Sequence, residues 1–349
     1  MSPPSPSGEG AGGWGLSALR LPDRPHLNPS PEGEGLSRAA LVAHARASIA
    51  RGSKSFALAS QLFDRITRER VWLLYGWCRA CDDLADGQDH GGAMGEVADP
   101  ASRLAEIRSK TAAAYAGQAS GDAAFDGLGQ LLTEVAIPRR FADDVIAGFA
   151  LDAADWHPRS EDDLLQYCYH VAGAVGCMMA VVMGVGPQDE DVLDRACDLG
   201  LAFQLANIAR DISEDAAAGR CYIPDDWLTE LDIPPGQVMH PAFRPRLAQA
   251  GKWLAEMAEA YEASARVGAR TLPWRARWAV LAAAGIYGDI AREVRARGSH
   301  AWDARVFTSR RQKLGHVCAG LVGALRRTQA VRAPRDPGLW TRPRGNTAA

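Results

Sequence analysis

Asp82 with Asp86, and again Asp211 with Asp215, repeat the spacing Asp-x-x-x-Asp, and each pair closes a strongly apolar helical stretch. Residues four apart share one face of an α-helix, so each pair aims two carboxylates at one point. Beside Trp72, Leu73 and Leu74, or beside Leu201, Leu205 and Ile208, such like charges are costly unless a cation neutralises them. The donors are oxygens, with no His or Cys among them, which suits magnesium (or manganese in its place) better than zinc. A metal there would clamp a diphosphate and neutralise the charge left as its carbon–oxygen bond breaks.

Helical spacing also places Gln204, Asn207, Asp211 and Asp215 on one polar stripe, with Leu201, Leu205, Ile208 and Ile212 on an adjoining apolar one. Arg79, Asp82 and Asp86 repeat the pattern on the earlier helix. Two such helices can face each other across a cavity. A single Asp-x-x-x-Asp also marks a solvated helix end, but two of them on helices too apolar for the surface favour a metal site. A di-iron carboxylate bundle would need Glu-x-x-His twice, and no histidine here has Glu three residues before it.

A third segment, Tyr167 to Gly176 followed by Met178, Met179 and Met183, is apolar and rich in small residues. A long greasy chain would lie well against such a wall. Close helix packing explains Gly173 and Gly176 equally well. The tyrosine rings, Tyr169 among them, offer negative faces to a carbocation, although core tyrosines are common.

These groups need a scaffold. From Leu36 onward the chain is rich in Ala, Leu and Arg, with apolar residues three and four apart and no long β-branched alternation, which predicts an all-α fold. Gly and Pro mark breaks at Gly52, Gly87 to Pro100, Gly117 to Gly121, Pro138, Pro158, Gly184 to Pro187, Gly219 to Pro224, Pro234, Pro273 and Gly298, giving ten or so helices. The segment from Gly87 to Pro100 directly follows the first acidic pair, where a mobile flap or a tolerated surface loop would fit. No internal linker divides residues 36–330, so one helical domain is expected. It is flanked by a flexible tail over 1–35 and a loose basic tail over 331–349. The G-x-G-x-x-G at Gly8, Gly10 and Gly13 has no strand before it or helix after it and is accidental.

At 349 residues with 47% hydrophobic content, the chain can bury a sizeable core. Its net charge of -3 argues against nucleic acid as a partner. Seven cysteines in apolar stretches read as buried free thiols, and the lone Cys78-x-x-Cys81 as core packing. No signal pattern and no membrane-length apolar run stand out, so the expected location is cytoplasmic, with at most peripheral contact at the inner face of the membrane. Between Asp303 and Asp336 every charged residue is basic. That stretch can face phosphates or anionic lipid, or simply be solvated.

The motifs resemble those of the squalene and phytoene synthases, head-to-head prenyl synthases of the all-helical isoprenoid-synthase fold. The likeness spans about residues 45–330. It rests on Gly52-Ser53-Lys54-Ser55-Phe56, Cys78-Arg79-x-x-Asp82-Asp83-x-x-Asp86, Tyr167-Cys168-Tyr169-His170-Val171-Ala172-Gly173 and Gln204-Leu205-x-Asn207-Ile208-x-Arg210-Asp211-x-x-x-Asp215, closing in Gly219-Arg220-x-Tyr222-Ile223-Pro224. Tyr167-Cys168-Tyr169-His170, where animal and fungal squalene synthases tend to read Tyr-Cys-His-Tyr, is most similar to the bacterial phytoene synthases, as is the closing Gly338 to Arg344.

The resemblance implies a helical bundle around a central apolar cavity. It also implies condensation of two geranylgeranyl diphosphates through prephytoene diphosphate to phytoene, in carotenoid biosynthesis, with no nicotinamide required. It assigns Asp82, Asp86, Asn207 and Asp211 to the metal, with Asp215 supporting them. Ser53, Lys54, Ser55, Tyr75, Arg79, Gln204, Arg210 and Tyr287 match positions that hold diphosphate or prenyl chain, and Arg220 and Tyr222 match a flap-side motif. Tyr169 is the candidate for cation or proton handling. Where some relatives carry His, this chain has Gly52, which leaves one diphosphate contact unassigned. Within the family the alternatives are squalene or dehydrosqualene synthesis from farnesyl diphosphate, and a non-catalytic assembly factor, whose relatives lack the acidic motifs. Membrane lipid and downstream carotenoid enzymes are the partners to test.

Overall fold

The computed structural model describes residues 35–85, 99–154, 156–326 and 333–344. Among them every regular element is helical, and thirteen α-helices are separated by short turns, more than the Gly and Pro breaks indicated. The first six are α1 (Arg38–Gly52), α2 (Lys54–Ser60), α3 (Arg65–Ala85), α4 (Pro100–Tyr115), α5 (Ala123–Glu134) and α6 (Arg139–Ala153). There follow α7 (Glu161–Cys168), α8 (Ala174–Val182), α9 (Glu190–Ala217), α10 (Asp225–Glu230), α11 (Arg244–Gly268), α12 (Trp274–Arg297) and α13 (Arg310–Leu325).

The starts follow local chemistry. Ser37, Asp99, Asp122 and Ser160 each accept a hydrogen bond from a backbone N–H of the helix they open, satisfying donors that have no partner inside the helix. Ser309 and Gln312 form a reciprocal capping box at α13. The long α9 stops at Gly219, whose φ of 77° is open to glycine and disfavoured for side-chain-bearing residues.

Two packed groups build the core. Helix α3 lies against α1, α5 and α8, while α9 lies against α8, α11 and α12, so α8 stands between the two helices that carry the acidic motifs. One continuous apolar cluster joins both groups, from Leu41 through Trp77, Phe125 and Leu201 to Val306. Glu134 at the end of α5 receives Arg38 at 2.7 Å and Arg70 at 3.0 Å, tying α1 and α3 together. Burial alone would raise its pKa, yet these two guanidinium groups hold it down at about 2.

Helices α7 and α8 are joined by a single π-helical turn, Tyr169–Gly173, a widened turn of the kind that often marks functional segments. The continuous stretch Glu161–Val182 is long and apolar enough to cross a membrane, contrary to the expectation that none is, but 72% of its apolar window is buried inside the fold. It is the inner wall of the bundle. Two glycines explain how closely it packs. A Cβ on Gly176 would come within 2.5 Å of the Ala196 carbonyl oxygen, and one on Gly200 within 2.4 Å of that of Ala172.

The expectation of a loose C-terminal tail fails for Ala333–Arg344. Arg335 forms an ion pair with fully buried Asp198 at 2.7 Å, and the Arg342 side chain, also fully buried, pairs with Asp194 at 3.0 Å and with Glu190. The Trp340 amide donates to the Tyr261 hydroxyl at 3.1 Å. The tail's arginines are matched to carboxylates on α9 far back in the chain. The seven cysteines are unpaired as expected, although Cys318 is exposed. The N-terminal tail with its G-x-G-x-x-G and the Gly87 to Pro100 loop lie outside the described residues, apart from their last positions.

Candidate active site

Helix α9 carries its functional groups on a half-buried seam. Phe203, Gln204, Asn207, Arg210, Asp211 and Glu214 are partly exposed, whereas Leu201, Leu205, Ile208 and Ile212 beside them are buried. The predicted polar stripe and its apolar neighbour are therefore both present. Arg210 grips Asp211 through two nitrogens at 2.7 and 2.5 Å. Arg305 reaches the same carboxylate from another element at 3.0 Å. The loop that delivers Arg305 is fixed to α9 by Trp302, whose indole N–H donates to the Ala209 carbonyl at 2.9 Å. Arg305 was not singled out as a site residue. Its signal was the acid-free stretch after Asp303.

One turn on, Asp215 is buried, and its pKa is pushed up to about 7, first by burial and then by the neighbouring Asp211. Gly219 turns the chain back so that Arg220 acts electrostatically on Asp215. Tyr222 then donates to Asp152 at 3.2 Å, and Tyr167 donates to the same carboxylate oxygen at 3.0 Å. Trp156, Tyr167 and Tyr222 stack in a row, with centroids 5.3 and 5.0 Å apart. Asp152 and Trp156 escaped the sequence reading because nothing in their spacing links them to Tyr167.

The end of α3 has a similar inventory. Arg79 pairs with Asp82 at 3.1 Å and with Asp83 at 2.7 Å. One turn earlier Tyr75 is buried, and its hydroxyl finds no hydrogen-bond partner among the described residues. A Cβ on Gly52 would stand 2.3 Å from that oxygen, so Gly52 is the space in which the tyrosine sits. Ser53, also buried, caps α2 by accepting from the Phe56 amide at 3.1 Å. Asp86 lies outside the described residues, as do the side chains of Lys54 and Ser55. Among the described residues no three His, Cys, Asp or Glu side chains converge on one metal position, and Asp82 and Asp211 belong to separate ion-pair groups.

The bundle encloses a cavity of about 140 Å³, walled by Phe56, Val175, Met179, Gly200, Phe203 and Tyr287 together with other, mostly apolar, side chains. Tyr287 stacks on Phe203 at 4.1 Å and also acts on Arg210, while Phe56 meets Tyr75 at 5.6 Å. Two of the cavity's lining residues, Tyr287 and Phe56, thus adjoin Arg210 and Tyr75. Gly176 and Gly200 line it as well as forming the close helix contact, so the two readings of the small-residue segment hold together. Tyr169 is not part of this lining. It is fully buried and donates its hydroxyl to Asp144 at 2.5 Å.

An all-helical bundle that carries two acidic motifs in its sequence and encloses an apolar cavity fits a class of enzymes acting on prenyl diphosphates. Residues 49–312 match the squalene/phytoene synthase family, and the chain belongs to it. It is 44% identical to the phytoene synthase of Pseudescherichia vulneris, over 88% of this chain and the whole of that relative. It is 43% identical to the 15-cis-phytoene synthase of Pantoea ananas over the same shares. In three dimensions it is similar to a dehydrosqualene synthase solved with a ligand, with a TM-score of 0.72 at 24% identity over 81% of this chain and 96% of that one. It is also similar to squalene synthase HpnC from Alicyclobacillus acidocaldarius, with a TM-score of 0.65 at 22% identity over 75% and 95%.

Proposed function

We propose that this protein is a phytoene synthase, joining two geranylgeranyl diphosphates head to head and releasing diphosphate. The observation that carries this reading is whole-length similarity at 43–44% identity to bacterial phytoene synthases, together with an apolar cavity whose lining residues Tyr287 and Phe56 adjoin Arg210 and Tyr75.

The donor set fits a hard divalent cation. Asp82, Asn207, Asp211 and Asp215, with Asp86, offer oxygen donors, and burial together with the neighbouring Asp211 raises the pKa of Asp215 although Arg220 and Arg210 act to lower it. Magnesium or manganese bound there would supply neutralisation of the departing diphosphate. The protein's own share follows from its geometry. Arg79, Arg210 and Arg305 already rest on carboxylates and offer their guanidinium forks to phosphate oxygens. The apolar walls keep water from the allylic cation, and from the second cation formed when prephytoene diphosphate ionises. With Tyr169 held on Asp144, the stack of Trp156, Tyr167 and Tyr222 is the better-placed set of aromatic faces beside Asp215. No nicotinamide takes part, since phytoene forms by loss of a proton.

The test is incubation of purified protein with magnesium and either geranylgeranyl or farnesyl diphosphate, without reductant, and identification of the products. Phytoene from the first is expected. Exclusive use of farnesyl diphosphate overturns the reading in favour of dehydrosqualene synthesis, and inertness toward both favours a non-catalytic role.

A further inference from the structure

One charged side chain stands in the wall of the apolar cavity. Along α9 the lining residues Val192, Arg195, Ala196, Leu199, Gly200 and Phe203 recur three or one apart, on the face that continues to Asn207 and Asp211. At about 1.5 Å of rise per residue, Arg195 lies about 24 Å from Asp211 and about 12 Å beyond Phe203. It therefore belongs to the end of the cavity remote from the acidic groups.

The Arg195 stem and head are fixed separately. A Cβ on Gly268 of α11 would come within 2.6 Å of the Arg195 Cβ and 3.1 Å of its Cδ, so the methylenes lie flat against that glycine. The guanidinium donates to the Ser264 carbonyl and hydroxyl, both at 3.2 Å, and to the Ala333 carbonyl at 2.5 Å. Neither Ser264 nor Ala333 lines the cavity. The Ser264 hydroxyl in turn donates to Asp198 at 2.5 Å, and Asp198 receives Arg335 at 2.7 and 2.9 Å. Arg335 also donates to the Leu339 and Trp340 carbonyls, which folds the C-terminal segment onto this network. A guanidinium stays where it has acceptors, because burying it without them is costly. The stem can face hydrocarbon while the head does not.

We propose that Arg195 closes the far end of the prenyl channel and sets the longest chain it accepts, with Ala333–Arg344 acting as a strap that keeps the guanidinium out of the channel. This rests on the cavity being the prenyl channel of the function proposed above. The family match ends at residue 312, so the strap lies outside the matched region.

The experiment compares kcat/KM for farnesyl, geranylgeranyl and geranylfarnesyl diphosphate, which differ by one isoprene unit each, in the full chain and in Arg195→Ala and Arg335→Gln, with folding checked by circular dichroism. In Arg195→Ala the use of geranylfarnesyl relative to geranylgeranyl diphosphate rises by about tenfold or more. In Arg335→Gln, where the strap loosens and the head can swing inward, use of geranylgeranyl relative to farnesyl diphosphate falls by about tenfold. If Arg195→Ala does not fold, Arg195→Val is read in the same way. A uniform loss of rate with an unchanged ranking of substrates, in either variant, overturns the proposal. Wild-type protein that makes no product from any of the three instead defeats the functional reading and is recognised before the variants are compared.

Discussion

The two acidic motifs share one spacing but not one environment. At the end of α3, Asp82 and Asp83 both pair with Arg79 in partly exposed positions. On α9, Asp211 is held from two sides by Arg210 and Arg305, and Asp215 behind it is buried with its pKa raised to about 7. On α9 the two members therefore differ: Asp211 is gripped by two arginines, whereas burial and Asp211 drive Asp215 toward its protonated form against the fields of Arg220 and Arg210.

Replacing the outer carboxylates breaks the comparison most severely. Asp211→Ala and Asp82→Ala should each lower kcat by on the order of 10²- to 10³-fold, the scale of losing one group that stabilises developing charge. Helicity by circular dichroism should be unchanged. Near-normal turnover in either variant would remove that helix from the site.

Next comes the pH response of metal-free protein. The folded-state pKa of Asp215, about 7, lies above its ordinary 3.8. The folded form thus keeps a proton that the unfolded form releases between about pH 4 and pH 7, so stability falls as pH rises through that window and levels off above it. In Asp215→Asn this part of the slope should vanish, leaving the metal-free variant more stable than wild type at pH 8 yet less active. Thermal melts across the pH range with a chelator present check this. Conversely, magnesium should stabilise wild type more at pH 8 than at pH 6, and an equal effect at both would count against Asp215 as a ligand.

Crowding behind α3 gives a smaller effect. Gly52→Ala would drive a methyl into the Tyr75 hydroxyl and should cost about 1–3 kcal/mol, as overpacking does, read as a lowered urea midpoint. Arg305→Ala sharpens the α9 side with the least effect on stability. As an ion pair with a partly exposed partner, it should change stability by no more than about 1 kcal/mol. Loss of a diphosphate contact should nonetheless raise KM about tenfold, the factor corresponding to roughly 1.4 kcal/mol.

The helical class, the breaks at Gly52, Pro138, Gly219 and Pro273, and the stripe from Gln204 to Asp215 were all legible, because each depends on periodicity or on local backbone chemistry. What stayed hidden was long-range pairing. Nothing local in Arg305 points to Asp211, nothing in Asp152 points to Tyr167 and Tyr222, and nothing in Arg335 points to Asp198. The π turn was also invisible, since Tyr169–Gly173 continues the surrounding apolar pattern. Tyr169 shows the same limit in reverse. Its motif drew attention to it, yet tertiary contacts hand its hydroxyl to Asp144.

The clasp between α9 and the C-terminal segment has a consequence for biosynthesis. Asp198 is translated 137 residues ahead of Arg335, and Asp194 150 residues ahead of Arg344. Until those arginines leave the ribosome, a nascent chain carries carboxylates on its central helix that have no cation to meet. The wall of the reaction chamber can therefore settle only after synthesis has passed them, and a fusion partner joined close behind Arg344 would burden that last step of maturation.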